Sequence, residues 1–125
     1  MFFLKWFLQH EKHVVYVFPT GFNQGYRIVH DPAAPGIKRT VNFMTLNFGD
    51  DGIIELNDDD WDWMGGQFMA PDYRYQDGTR LHYNVHGDPL PPGPFARFFG
   101  YRGVSQANHT ITEYWYGEIG VKLPD

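Results

Sequence analysis

The chain has 125 residues, no cysteine and a formal net charge of −5. That length fits one domain, and a domain of this size buries about two thirds of its unfolded surface, enough for a core without staples. The missing cysteine excludes a disulfide framework, a thiolate metal site, a catalytic thiol and a thiol-linked lipid anchor, and fits a reducing, cytoplasmic setting; the acidic balance, with no Lys/Arg stripe, argues against direct nucleic-acid binding.

The run Met1-Phe2-Phe3-Leu4-Lys5-Trp6-Phe7-Leu8 is far shorter than the roughly 20 apolar residues of a membrane span. Lys5 interrupts it and Gln9-His10-Glu11-Lys12-His13 follows, so residues 1–12 are expected to pack as an arm on a domain spanning 13–125. His13 to Phe18 is a β-branched and aromatic run, ended by Pro19-Thr20-Gly21, and reads as a buried strand. Gly25 to His30 alternates: Tyr26, Ile28 and His30 share one face, Arg27 and Val29 the other. After the Pro-rich loop 31–36, a longer strand is expected over Arg39 to Phe48, with Met44, Leu46 and Phe48 on one side. Gly49-Asp50-Asp51-Gly52 reads as a turn and Ile53 to Leu56 as a short strand.

An acidic stretch follows. Residues 50–62 hold seven of the fifteen carboxylates, and no Lys or Arg lies between Arg39 and Arg74. Without those seven the rest of the chain would carry +2, so the acidity is one local field. Asp58, Asp59, Asp60, Trp61, Asp62 and Trp63 are the candidate partner-binding residues, read as a loop in which carboxylates supply charge and indoles an anchor. Asp58, Asp60 and Asp62 begin like a calcium loop, but Trp63 and Met69 stand where that loop needs its Gly and bidentate Glu, so no metal site is expected.

Beyond Gly65-Gly66, Tyr73 to Gln76 and Thr79 to Val85 flank Asp77-Gly78, the signature of a hairpin with a two-residue type I′ turn. A Pro-rich loop precedes two final strands, Phe95 to Arg102 and Thr110 to Ile119; in the second, Trp115 faces opposite to Tyr114 and Tyr116. With no helix evident, seven or eight short strands imply an all-β single-domain sandwich, or alternatively a small barrel.

Three phrases resemble a bacterial family of unknown function: Val17-Phe18-Pro19-Thr20-Gly21-Phe22-Asn23-Gln24-Gly25-Tyr26-Arg27-Ile28-Val29, Gly49-Asp50-Asp51-Gly52-Ile53-Ile54, and Tyr73-Arg74-Tyr75-Gln76-Asp77-Gly78-Thr79-Arg80-Leu81. The resemblance covers residues 13–85 and implies a transthyretin-like or immunoglobulin-like sandwich. Members are often exported lipoproteins, and this chain lacks the cysteine that would take the lipid. The family carries no activity or site residue to transfer.

Catalytic patterns are sparse. Ser105 is the only serine and sits in no nucleophile elbow. Glu55 with Glu113 is numerically a carboxylate pair, but carboxylates are too common here for it to be informative. His82 and His86 on a strand would be about 13 Å apart; His10 with His13 lacks a third ligand, and His30 and His109 stand isolated. No cofactor is expected. The expected function is a non-catalytic binding protein, such as an immunity or inhibitor protein, engaging a basic protein partner. A carbohydrate- or small-ligand-binding module is the alternative, and a small barrel enzyme the third reading.

Overall fold

The computed structural model describes residues 12–65, 72–84, 89–105, 107 and 111–124. Most of the expected N-terminal arm, His10, Met69, His86 and His109 therefore lie outside the described residues. In chain order the elements are β1 (His13–Phe18), β2 (Gly25–His30), β3 (Phe43–Asn47), β4 (Ile53–Leu56), α1 (Asp58–Met64), β5 (Asp72–Tyr75), β6 (His82–Tyr83), β7 (Gly93–Ser105) and β8 (Ile111–Lys122).

The strands form two packed sheets and not a closed barrel, so the all-β sandwich is the fold. One sheet has the order β3-β1-β5, the other β4-β2-β8-β7-β6. The chain changes layer at each step from β1 to β4. Among β1 to β5, neighbours in a sheet are parallel, β1 with β3 and with β5 and β2 with β4, while β2 meets β8 antiparallel. A strand of the opposite layer serves as the crossover that parallel neighbours require. The likeness to an immunoglobulin domain thus extends to the two layers only, since the sheets of that fold are antiparallel. The long β7–β8 hairpin supplies the antiparallel part, with a bulge between Phe98 and Gly100.

Alternation decides what is buried. Tyr16 and Phe18 from β1, Met44 and Leu46 from β3, and Tyr73 from β5 face Tyr26 and Ile28 from β2, Leu56 from β4 and Ile119 from β8, all nearly inaccessible. The rings interlock: Phe18 stacks on Phe48 with centroids 4.4 Å apart, and Tyr16 meets Tyr73 edge-on at 4.5 Å. Their hydroxyls are paired across the core. Tyr26 donates to the Arg97 carbonyl at 3.2 Å, which leaves it to accept from Tyr73 at 3.0 Å. Burial raises the pKa of both phenols.

Three expectations are corrected. The strand expected over Arg39 to Phe48 is regular only from Phe43. The backbone before it is bonded to α1 instead: Ile37 N donates to Asp60 Oδ2 at 2.8 Å, and the Val41 carbonyl accepts from Trp63 Nε1 at 2.9 Å. The Asp77-Gly78 connection is a three-residue loop, because Tyr75 N bonds Thr79 O and Gly78 N bonds Tyr75 O. That is the pattern of a turn followed by a left-handed residue, not a two-residue type I′ turn; Gly78 supplies the positive φ of 93°. After one more bridge, Arg74 with Arg80, the chain leaves the hairpin and β6 joins β7 in the other sheet. Thirdly, the acidic stretch is not a loop: residues 58–64 are helical.

Candidate functional site

The helix forms for reasons its Asp content hides. Asn57 caps it, its side chain accepting from Asp60 N at 2.9 Å. Asp58, Asp59 and Asp60 fill the first turn, where negative charge suits the helix dipole. Asp60, Trp63 and Met64, spaced three and four apart, are buried against the sandwich. Asp60 is fully occupied there, accepting from Ile37 N and from Arg39 Nε at 2.9 Å. Trp63 lies beneath Lys12 and Arg39, whose cations sit 5.2 and 5.3 Å from its ring. Of the six expected contact residues, Asp60 and Trp63 therefore build the helix into the fold. Asp58, Asp59 and Asp62 are exposed, and Trp61 is half-buried.

Trp61 belongs to a stack that ties α1 to the inner face of the five-stranded sheet beyond the core. Its ring lies on Trp115 of β8 at 3.9 Å and 6°, and on the His30 imidazole of β2 at 4.9 Å and 12°. His30 is held at both nitrogens. Nε2 meets Asp58 Oδ1 at 2.5 Å, and Nδ1 meets Glu113 Oε2 at 3.0 Å. The Tyr101 hydroxyl donates to the other Glu113 oxygen at 2.8 Å. Two carboxylate partners require two N–H donors, so the geometry is that of an imidazolium. Burial, the largest single influence on His30, opposes charging, but the bonds to Glu113 and Asp58 outweigh it and the pKa is raised above 6.5. Glu113 is correspondingly lowered, first by the His30 bond and then by Tyr101. Sequence reading treated His30 as isolated. Its place on the same face as Tyr26 and Ile28 was the available signal, since that face turns inward.

The acidic field continues along β4, the edge strand. Glu55 has its pKa raised, mainly by a hydrogen bond and charge repulsion from Asp31, with a smaller contribution from Asp51. Among the described residues, the cations ion-paired to the 50–62 stretch are Arg39 on Asp60 and, when charged, His30 on Asp58. No group of three or more His, Asp or Glu among the described residues is placed to hold a metal ion.

The outer face of the same sheet is different in kind. Arg27 lies over the Tyr114 ring at 4.7 Å and Arg102 over Tyr116 at 5.3 Å. Phe99, pushed out at the bulge, and Tyr116 border a groove of about 420 Å³ that Arg27, Ile53 and Glu118 also line. Ser105 is exposed at the end of β7. Glu113 is bonded to His30 of β2, while Glu55 lies on β4 with its pKa raised by Asp31, so the two carboxylates sit in different surroundings.

No family model matches the chain, and no curated protein does. Among solved structures it is similar to the crystal structure of a "Putative Lipoprotein from Bacillus anthracis", with 12% identity, a TM-score of 0.48, and coverage of 90% of this chain and 71% of that one. No helix among the described residues is long and apolar enough to cross a membrane.

Proposed function

We propose that the protein is a non-catalytic interaction protein whose acidic edge engages a basic protein partner, as an inhibitor or immunity protein would. The observation that carries this reading is the crowding of like charge: Asp58, Asp59 and Asp62 lie exposed on a short capped helix that follows edge strand β4, where Asp31 and Asp51 raise the pKa of Glu55. Repulsion stored in that edge is relieved by an incoming cation, which favours fast, steered association. Trp61 contributes an edge rather than a face to such a contact, because both of its faces are taken by His30 and Trp115.

The test is a double substitution, Asp59→Asn with Asp62→Asn, which leaves the cap, the Asp60–Arg39 pair and the His30 bonds intact. A partner captured from the native host is measured for association rate against salt. The variant should associate about tenfold more slowly at low salt, within the range that steering supplies, with a flatter salt dependence. An unchanged rate and salt slope would sink the reading.

A second reading rests on the outer-face groove: a carbohydrate- or small-ligand-binding module using Phe99 and Tyr116. It predicts that Phe99→Ala and Tyr116→Ala abolish binding to a soluble oligosaccharide panel while the Asp variant binds normally.

A further inference from the structure

The His30 contacts join α1 to β2 and β8, two strands already paired with each other as far as Val29 and Tyr114. Asp58 comes from α1 and is 70% exposed at its side chain; Glu113 comes from β8 and is 33% exposed. Tyr101 of β7 steadies the far oxygen of Glu113. Of the other charged neighbours, Asp31, next in the chain, accepts from Ala33 N, and Asp60 on the same helix bonds Arg39. The helix has seven residues, about half the length at which an isolated helix becomes even marginally stable. Its order therefore depends on its tethers.

We propose that protonated His30 is a latch: with an N–H at each nitrogen it bridges Asp58 and Glu113 and fastens the N-terminal end of α1 to β8, and loss of either proton lets Asp58 and the Trp61 ring come away from the sheet. A neutral imidazole has one donor and one lone pair. The lone pair then faces a carboxylate oxygen at contact distance, and the more exposed side chain, Asp58, gives way. The bonds of Asp60 in the first turn, from Arg39 and Ile37 N, and of Trp63 in the second, from its Nε1 to the Val41 carbonyl, do not involve His30. The opening is thereby confined to the start of the helix at Asp58 and to the Trp61 ring. The raised pKa of His30 agrees with the direction: the latch is closed below 6.5 and opens as pH rises through the higher value. The inference stands on the fold alone and holds whether or not the acidic edge binds a partner.

Amide hydrogen exchange on the full chain tests it. Exchange at Trp61 and Gly65, corrected for the intrinsic base catalysis of each amide, is followed from below pH 6.5 to about two units above, the range in which a perturbed histidine titrates. Trp61 N closes the first turn on Asn57 O and Gly65 N the last on Trp61 O. Protection at Trp61 should fall about tenfold for each unit by which the closed state raises the imidazole pKa, while Gly65 changes less. His30→Gln should show a pH-independent Trp61 rate, and Glu113→Gln should move the transition to lower pH. A flat corrected rate in the wild type, or the same rise in His30→Gln, would overturn the latch. If His30→Gln fails to fold, the wild-type imidazole resonances decide: their titration midpoint must coincide with the exchange transition, and a separate midpoint refutes the proposal.

Discussion

At the scale of single residues, two glycines and one aspartate fix more than their size implies. A Cβ at Gly117 would lie 2.1 Å from the Arg97 carbonyl and 2.6 Å from the Tyr26 hydroxyl. That is the carbonyl on which the core tyrosine pair terminates, so Gly117→Ala must separate β7 from β8 or break the Tyr26 bond. A loss of about 2–3 kcal/mol is expected, from overpacking and an orphaned buried hydroxyl, read as a lower urea midpoint. Gly78 has open space around it but a φ of 93°. Gly78→Val should cost on the order of 1–2 kcal/mol through backbone strain alone, and a thermal melt that fails to move would contradict it. Asp60 is 3% exposed and answers both Ile37 N and Arg39. Asp60→Ala leaves a buried amide unpaired and strips a guanidinium of its partner, costing roughly 2–3 kcal/mol. Asp59→Ala, on the exposed side, should stay within about 0.5 kcal/mol.

At the scale of elements, alternation was readable wherever a strand lies over the core. The bounds of β1, β2 and β4 follow from the sequence, as do the shared faces of Tyr26 with Ile28 and of Met44, Leu46 and Phe48, which the structure turns inward. The helix was missed because three consecutive Asp have poor intrinsic propensity. The compensating signal was present: Asn57 before an acidic turn is a cap with a dipole partner. Strand β3 was overextended because side-chain partners such as Asp60 compete for its backbone, and sequence alternation does not report them. The His30 cluster unites residues from positions 30, 58, 101 and 113, separations that no local pattern encodes. His30, raised above 6.5, contributes stability fully below 6.5 and loses it as pH climbs through the raised value. Glu113, lowered from 4.5, contributes above 4.5 and loses it as pH falls through the depressed value. Their shared contribution is complete between about 4.5 and 6.5. Urea midpoints for wild type and Glu113→Gln should differ most inside that window and converge outside it.

At the scale of the whole molecule, the two layers were legible and the parallel pairings were not, since pairing direction follows from which layer each strand joins. Because β1 to β4 alternate between layers, neither sheet is a contiguous piece of chain. Unfolding should be all-or-none, with tryptophan fluorescence and far-ultraviolet circular dichroism giving coincident transitions; a separated fluorescence transition would show that the two layers melt independently. The same arrangement bears on how the protein is made. β2 sits between β4 and β8, and β8 is synthesised after every other described strand. A nascent chain still on the ribosome holds β2 with one ladder edge unmet until residues 114–118 emerge. An open edge of that kind is a template for pairing with a neighbouring nascent chain. Premature stops within β8 should therefore give products that are cleared or coaggregate during translation, rather than shortened domains of reduced stability.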